Sequence, residues 1–219
     1  MSKANDKIKS PMILAFDVGF SKTGTALFEI GPEKDTLLKV FTYQNGLDKR
    51  IGSVVHQDYQ AVTTMFGDLH TAALVANVSG IVAELPSGGA QGARANRCMG
   101  IATGMFACLT YVFPHIPFEI YTPHEVEVAL GIALKAGDAK GMKKGDKTAW
   151  KKSRMQAMVL DDQPAFRGWP TQKYLAEDSY DAAAAFLASR RTKNGIYWKL
   201  KNRVIEEHRA QPMLPLDAT

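Results

Sequence analysis

The chain has 219 residues, of which 46% are hydrophobic and 22% charged, with a net charge of +5; this is an ordinary balance for one water-soluble domain with tails. No apolar run reaches the roughly 18 residues that a membrane span requires, and residues 1–10 lack the apolar stretch of a secretory signal, so membrane and exported classes are not expected. Cys98 and Cys108 fall in one predicted helix, about 15 Å apart at the helical rise, too far to bridge; they are expected as reduced core thiols of a cytoplasmic protein.

Residues 1–10 are expected as a flexible tail. Apolar runs predict strands over 12–18, 23–30 and 37–43, and their short connections favour an antiparallel meander. Val54, Val55, Tyr59, Val62, Met65, Phe66, Leu69 and Ala73 recur near helical spacing and predict a helix over 53–77. A strand over 80–84, a helix over 92–112 and a strand over 118–121 come next as an α/β half. Pro123, with its fixed φ, opens a short helix to about residue 130. The insert over 134–149 carries Gly137, Gly141 and Gly145 and is expected as a mobile loop. Helices over 148–160 and 177–190 complete a domain spanning 11–190.

Beyond it, 191–219 is expected as a basic C-terminal extension in which Lys193, Lys199, Lys201, Arg203 and Arg209 interleave with Tyr197 and Trp198. Such a mixture stacks on bases and contacts phosphates, or else packs on its own domain or a sister subunit.

Four carboxylates stand at element ends. Asp17 closes one buried strand and Glu84 another, so both emerge at a C-terminal sheet edge. Asp178 and Asp181 are placed in the first turn of the last domain helix, three residues apart and therefore on one face. Taken singly each has a bland explanation: Asp17 starts a turn, Glu84 is an exposed strand end, Asp178 is a helix N-cap. Asp181, followed by four alanines, is harder to explain as a cap. Clustered carboxylates repel unless a cation lies between them, and a hard divalent metal is the natural partner.

The positive charge is concentrated. Over 135–154 eight lysines and arginines oppose two aspartates, a local +6 that exceeds the net charge of the whole chain. Lys140, Lys143, Lys144, Lys147, Lys151 and Arg154 in this stretch are candidate phosphate contacts, and the alternative is a solvated charged loop. Arg94 and Arg97, early in the helix after Glu84, are further candidate phosphate contacts at a helix N-terminus.

These features together resemble the RuvC-type Holliday junction resolvases of the ribonuclease H-like superfamily. Asp17-Val-Gly-Phe-Ser-Lys-Thr-Gly24 is similar to the family's opening motif, and a strand closing on Glu84 before a Gly-rich loop and long helix is similar to its second. Lys152-Ser-Arg-Met-Gln-Ala-Met-Val159 resembles its Lys-x-x-Val-Gln-x-Met-Val helix, and Asp178-Ser-Tyr-Asp-Ala182 its Asp-x-x-Asp-Ala helix. Val18 departs from a usual proline, Glu127 stands where a basic residue is common, and the insert is longer than in bacterial members; a divergent, phage-borne relative acting in the cytoplasm of a bacterial host fits these departures.

The resemblance implies an α/β fold with a mixed five-stranded sheet flanked by helices. It implies a homodimeric, structure-selective endonuclease that resolves branched DNA at four-way junctions, leaving 5′-phosphate ends. Asp17, Glu84, Asp178 and Asp181 would hold two Mg2+ ions, with Mn2+ a possible substitute, and Lys152 would stabilise charge at the scissile phosphate. Three alternatives stand beside it: a flap or fork endonuclease of looser specificity, a junction-binding protein without activity, and an actin-like ATPase or kinase lobe, whose first phosphate loop the opening motif also resembles.

Overall fold

In the computed structural model the described residues are 10–44, 50, 52–87, 92–134 and 141–210. Five strands form one sheet: β1 (Met12–Val18), β2 (Lys22–Glu29), β3 (Thr36–Gln44), β4 (Gly80–Glu84) and β5 (Phe118–Tyr121). Their order across the sheet is β3-β2-β1-β4-β5. β1 pairs antiparallel with β2, and β2 with β3, whereas β1–β4 and β4–β5 are parallel. The meander expected from short connections and the crossover expected from the intervening helices meet at β1, which makes the sheet mixed. β2 starts one residue and β3 one residue earlier than the apolar runs suggested, because ladder pairing extends through Lys22 and Thr36.

Side-chain alternation divides the sheet into two packed faces. Leu14, Phe16 and Val18 of β1, with Ile81 and Ala83 of β4, pack under α1 (Val54–Ala76) and α2 (Ala93–Val112). Ile13 and Ala15, with Val82 and with Ala26 and Phe28 of β2, face the opposite layer. That layer holds α3 (Pro123–Leu130), α4 (Lys144–Asp162), α5 (Lys173–Arg191) and α6 (Ile196–Ala210).

Local chemistry sets the ends of these helices. Thr122 and Glu125 form a reciprocal capping box with Pro123 in the first turn of α3, and Gly131 at φ 73° ends it. Asn77, left-handed at φ 48°, closes α1.

Two helices begin earlier than the sequence indicates. α4 opens at Lys144, so Lys144 and Lys147 belong to its first turns rather than to a loop, and the glycine-rich stretch misled because Gly145 is tolerated within a helix. Asp146 in the first turn is favourably placed at the positive end of the helix dipole. α5 opens at Lys173 with Gln172 at its N-cap, so Asp178 lies inside the helix rather than in its first turn, and the capping explanation for it falls away.

α5 is the central helix, packed on β1, β2 and β4 and touching α3, α4 and α6. Ala182, Ala183, Ala184, Ala185 and Ala188 are fully buried, and these small side chains let the helix axis come close to the strands. Closest of all is Gly24, where an added Cβ would lie 1.9 Å from the Asp178 carbonyl oxygen. Phe28 and Phe186 stack at 3.7 Å across the same contact.

Residues 196–210, expected as a basic extension, form a helix whose Ile196, Tyr197, Leu200 and Val204 join the core. Asp35 is buried and accepts hydrogen bonds from Tyr197 Oη at 2.9 Å and Lys201 Nζ at 3.1 Å, so this aromatic and this lysine are structural. Cys98 is half-buried and Cys108 exposed, both on α2 and neither in the core, which corrects their placement as core thiols. Among the described residues no helix is long and apolar enough to cross a membrane.

Gly24→Ala should force α5 off the sheet. The expected loss is about 1–3 kcal/mol for overpacking, or about 2–4 °C in melting temperature per kcal/mol at this chain length, measured by thermal denaturation.

Candidate active site

Asp17 is paired in register with Gly24 on one side and Glu84 on the other. Alternation puts Asp17 on the face of Ile13 and Ala15, and Glu84 on the face of Val82, so both carboxylates look toward α5. On the helix, Asp178 lies over Gly24 and Asp181 sits one turn later, beside Asp17. Two strand ends and one helix face thus bring the four sequence-predicted acids together.

The cluster is electrostatically costly. Burial, with Asp181 and Asp178 alongside, pushes the Asp17 carboxyl well above the usual carboxylate range. Burial likewise lifts Glu84 from 4.5 to about 9, with Asp17, Asp181 and Glu127 adding to the effect. Asp181 is also raised by burial, even though Lys152 pulls the other way.

Two ammonium groups face the cluster. Lys152 Nζ lies 3.5 Å from Asp181 and 3.6 Å from Glu177; burial opposes its charge, but these two acids hold its pKa above the ordinary lysine value. Lys22 Nζ lies 2.7 Å from Asp178 Oδ2. That oxygen is buried and has no hydrogen-bond donor among the described residues, so the ion pair alone compensates it.

Among the described residues no three acidic, histidine or cysteine side chains are disposed to enclose a metal ion as they stand. The donor set nevertheless suits a hard divalent cation, being all carboxylate oxygen, with raised affinity for protons on three members and, on the fourth, a buried oxygen that has an ion pair but no hydrogen bond.

Other predicted residues have partners that the sequence did not indicate. Lys151 contacts Glu127 at 2.6 Å, so the acid standing where a basic residue was expected carries its own counter-ion. Arg94 and Arg97 both bind Asp58, which is buried on α1; they tie α1 to α2 while remaining about half exposed. Lys143 caps α4 without a side-chain bond, Lys144 and Lys147 lie in its first two turns, and Arg154 sits over the Trp150 ring at 5.8 Å. Lys140 lies outside the described residues. Thr23, in the opening motif, is fully buried and bonds the Gly19 carbonyl at 3.2 Å, a structural role.

A groove of about 640 Å³ between α4 and α5 opens beside Asp181, lined among others by Lys144, Thr148, Lys152, Gln156 and Lys173. A smaller cavity of about 290 Å³, bounded by Asp162, Arg190 and Trp198, lies at the far end of α5. Sequence reasoning passed over Lys22 and Lys173. Lys22 was accessible through alternation, since it shares the parity of Gly24, Ala26 and Phe28 and so faces α5; Lys173 carried no such signal, because its place depends on where α5 starts.

This strand order, an antiparallel β1–β2–β3 meander joined to parallel β4 and β5 with helices on both faces, is a ribonuclease H-like α/β fold. More narrowly, the chain has a divergent RuvC-like fold. It superposes on Thermus thermophilus RuvC in complex with a Holliday junction substrate at a TM-score of 0.58, with 13% identity over 82% of this chain and 93% of that one. A second T. thermophilus RuvC structure gives 0.56 at the same identity and coverage. The yeast mitochondrial Holliday junction resolvase Ydc2 gives 0.50, with 11% identity over 94% of this chain and 86% of that one. No protein-family model matches the sequence, and no curated protein does.

Glu84 has a pH signature. Its folded pKa is raised, so its contribution to stability is fully present below about pH 4.5 and is lost as pH climbs toward about 9. Metal-free protein should therefore melt at progressively lower temperature from pH 5 to about pH 9, and Glu84→Gln should flatten that decline. Melting curves in chelator across this range provide the measurement.

Proposed function

We propose that the chain is a metal-dependent endonuclease that resolves four-way DNA junctions as a homodimer. The observation that carries this reading is the convergence of Asp17, Glu84, Asp178 and Asp181 on the α5 face of a RuvC-like sheet, beside a lysine-lined groove. Solved structures similar to this chain include T. thermophilus RuvC in complex with a Holliday junction substrate. The four carboxylates would hold divalent ions, Mg2+ by preference or Mn2+, which supply Lewis-acid stabilisation and an activated water for in-line phosphodiester hydrolysis.

The chain's own residues do the rest. Lys152 stands at the mouth of the groove next to Asp181 and stabilises the negative charge that builds on the phosphoryl oxygens. Burial of the acids strengthens each charge interaction in the site. The groove lysines hold the backbone on either side of the cleaved bond. Lys143, Lys147 and Arg154 extend the basic surface along α4, and Arg94 and Arg97 add half-exposed guanidinium groups in the first turns of α2.

A homodimer fits this substrate because a two-fold enzyme can cut two equivalent strands of a symmetric junction. The outer side of α2, with Gly100, Gly104 and Tyr111 exposed, offers a surface for the second copy. A dimeric mass by light scattering is the expected state.

The decisive assay is cleavage of labelled four-way, three-way, flap and linear DNA with Mg2+. Four-way junctions should be cut at paired positions to leave ligatable 5′-phosphate ends. Asp17→Asn, Glu84→Gln, Asp178→Asn and Asp181→Asn should each abolish cutting while sparing junction binding, and Lys152→Met should slow it by about 10²–10³. Full activity in Asp17→Asn or Glu84→Gln protein overturns the site, equal cutting of flaps favours a looser nuclease, and binding without cutting by the wild type leaves a junction-binding protein. In the same panel, neutralising Lys140, Lys143, Lys144 and Lys147 together should weaken binding and flatten its salt dependence by about 0.9 log unit per lost phosphate contact.

A further inference from the structure

We propose that Lys22 is the resident counter-ion of the site: its ammonium neutralises Asp178 until a divalent cation enters, and is then released to a phosphate of the substrate strand. This rests on the endonuclease reading above and adds a positioning residue to it. Lys22 opens β2 and is turned toward α5, where its Nζ lies 2.7 Å from Asp178 Oδ2, 3.4 Å from the Tyr174 carbonyl oxygen and 5.3 Å from the centre of the Tyr174 ring. Asp178 Oδ2 has no hydrogen-bond donor among the described residues, so its charge depends on this one contact. The pair is unequally placed, with the Asp178 side chain 15% exposed and that of Lys22 34%.

The carboxylate is thus held in the interior while the lysine stem reaches in from the rim. A cation on Asp178 Oδ2 and an ammonium 2.7 Å from that same oxygen repel each other in a partly desolvated site, so the binding of one weakens the hold of the other. Of the two groups only the ammonium can leave, because its flexible stem already extends into solvent. Lys152 holds a longer contact to Asp181, 3.5 Å, on the other side of the cluster, so the two lysines bracket the acids from β2 and from α4. Once released, Lys22 lies at the rim of a negatively charged centre, where a phosphate oxygen is the group it can next pair with.

A plain structural clamp between β2 and α5 makes the opposite prediction for metal affinity, which is what makes the two separable. Calorimetric titration of Mn2+ into the full-length protein without DNA is the test, run on wild type, Lys22→Gln, Lys22→Arg and Asp17→Asn. If Lys22 competes with the metal, Lys22→Gln melts at a lower temperature in chelator yet binds Mn2+ about twofold to fivefold more tightly, the range expected for losing one partly exposed ion pair. Lys22→Arg, which keeps the charge, binds Mn2+ no more tightly than wild type. With Ca2+ in place of Mg2+, Lys22→Gln also binds four-way junctions more weakly, with a salt slope shallower by about 0.9 for one phosphate contact.

Unchanged or weaker Mn2+ binding by Lys22→Gln, against measurable binding by wild type, overturns the inference and leaves the endonuclease reading standing. Should Lys22→Gln not fold, tighter Mn2+ binding by Lys22→Arg than by wild type overturns it equally. If wild type binds no Mn2+, or Asp17→Asn binds it as well as wild type, the metal site itself is wrong and both readings fail.

Discussion

The close seating of α5 on the sheet at Gly24 is the contact on which the site depends. Glycine at that position and alanines along the buried face remove the side-chain bulk that normally separates a helix from a sheet. The approach puts two helix carboxylates within reach of two strand carboxylates. Four acids in a partly desolvated pocket are held at a cost, and the raised proton affinity of Asp17, Glu84 and Asp181 reflects burial first and their mutual repulsion second. The fold tolerates this because α5 is gripped along the rest of its length, by Phe28 stacked on Phe186 and by the surrounding helices.

The far end of the same helix is fixed by a second charged group, of opposite character. Arg190 bonds Asp162 at 2.6 Å and approaches buried Asp35, which also receives Tyr197 and Lys201 from α6. Here opposite charges balance and every buried carboxylate oxygen of Asp35 has a partner, so the network anchors the helix. At the site end the acids outnumber the lysines. One helix therefore carries a balanced, structural set of charges at its C-terminus and an unbalanced one near its N-terminus, and an unbalanced set of this kind is what distinguishes a candidate functional site from a structural network.

Positive charge around the cluster is distributed by geometry rather than by density in the sequence. Lys151 is taken up by Glu127, and Arg94 and Arg97 by Asp58, so several residues of the basic stretches have internal partners. Lys152, adjacent in sequence to Lys151, points instead toward Asp181, because a step of one residue turns a helical side chain by about 100°. Neighbouring lysines thus serve different ends.

Apolar runs and their punctuation were enough to place all five strands within a residue or so, since a buried strand needs a contiguous apolar segment and a turn needs glycine, proline or a polar residue. The same reading located the four carboxylates, because each stands at or near the edge of an apolar run. Tertiary structure alone decided where α4 and α5 begin. Gly145 and the polar residues 171–173 look like loop locally, and only packing against the body of the protein makes the added turns helical. It decided too that one face of the helix over 196–210 joins the core, since Tyr197 and Lys201 bury against Asp35, some 160 positions away in the chain, a pairing without local signature. And it decided the partner of each charge. Lys22 meets Asp178 because the β1–β2 register and the approach of α5 at Gly24 bring them to 2.7 Å, distances that sequence spacing does not encode.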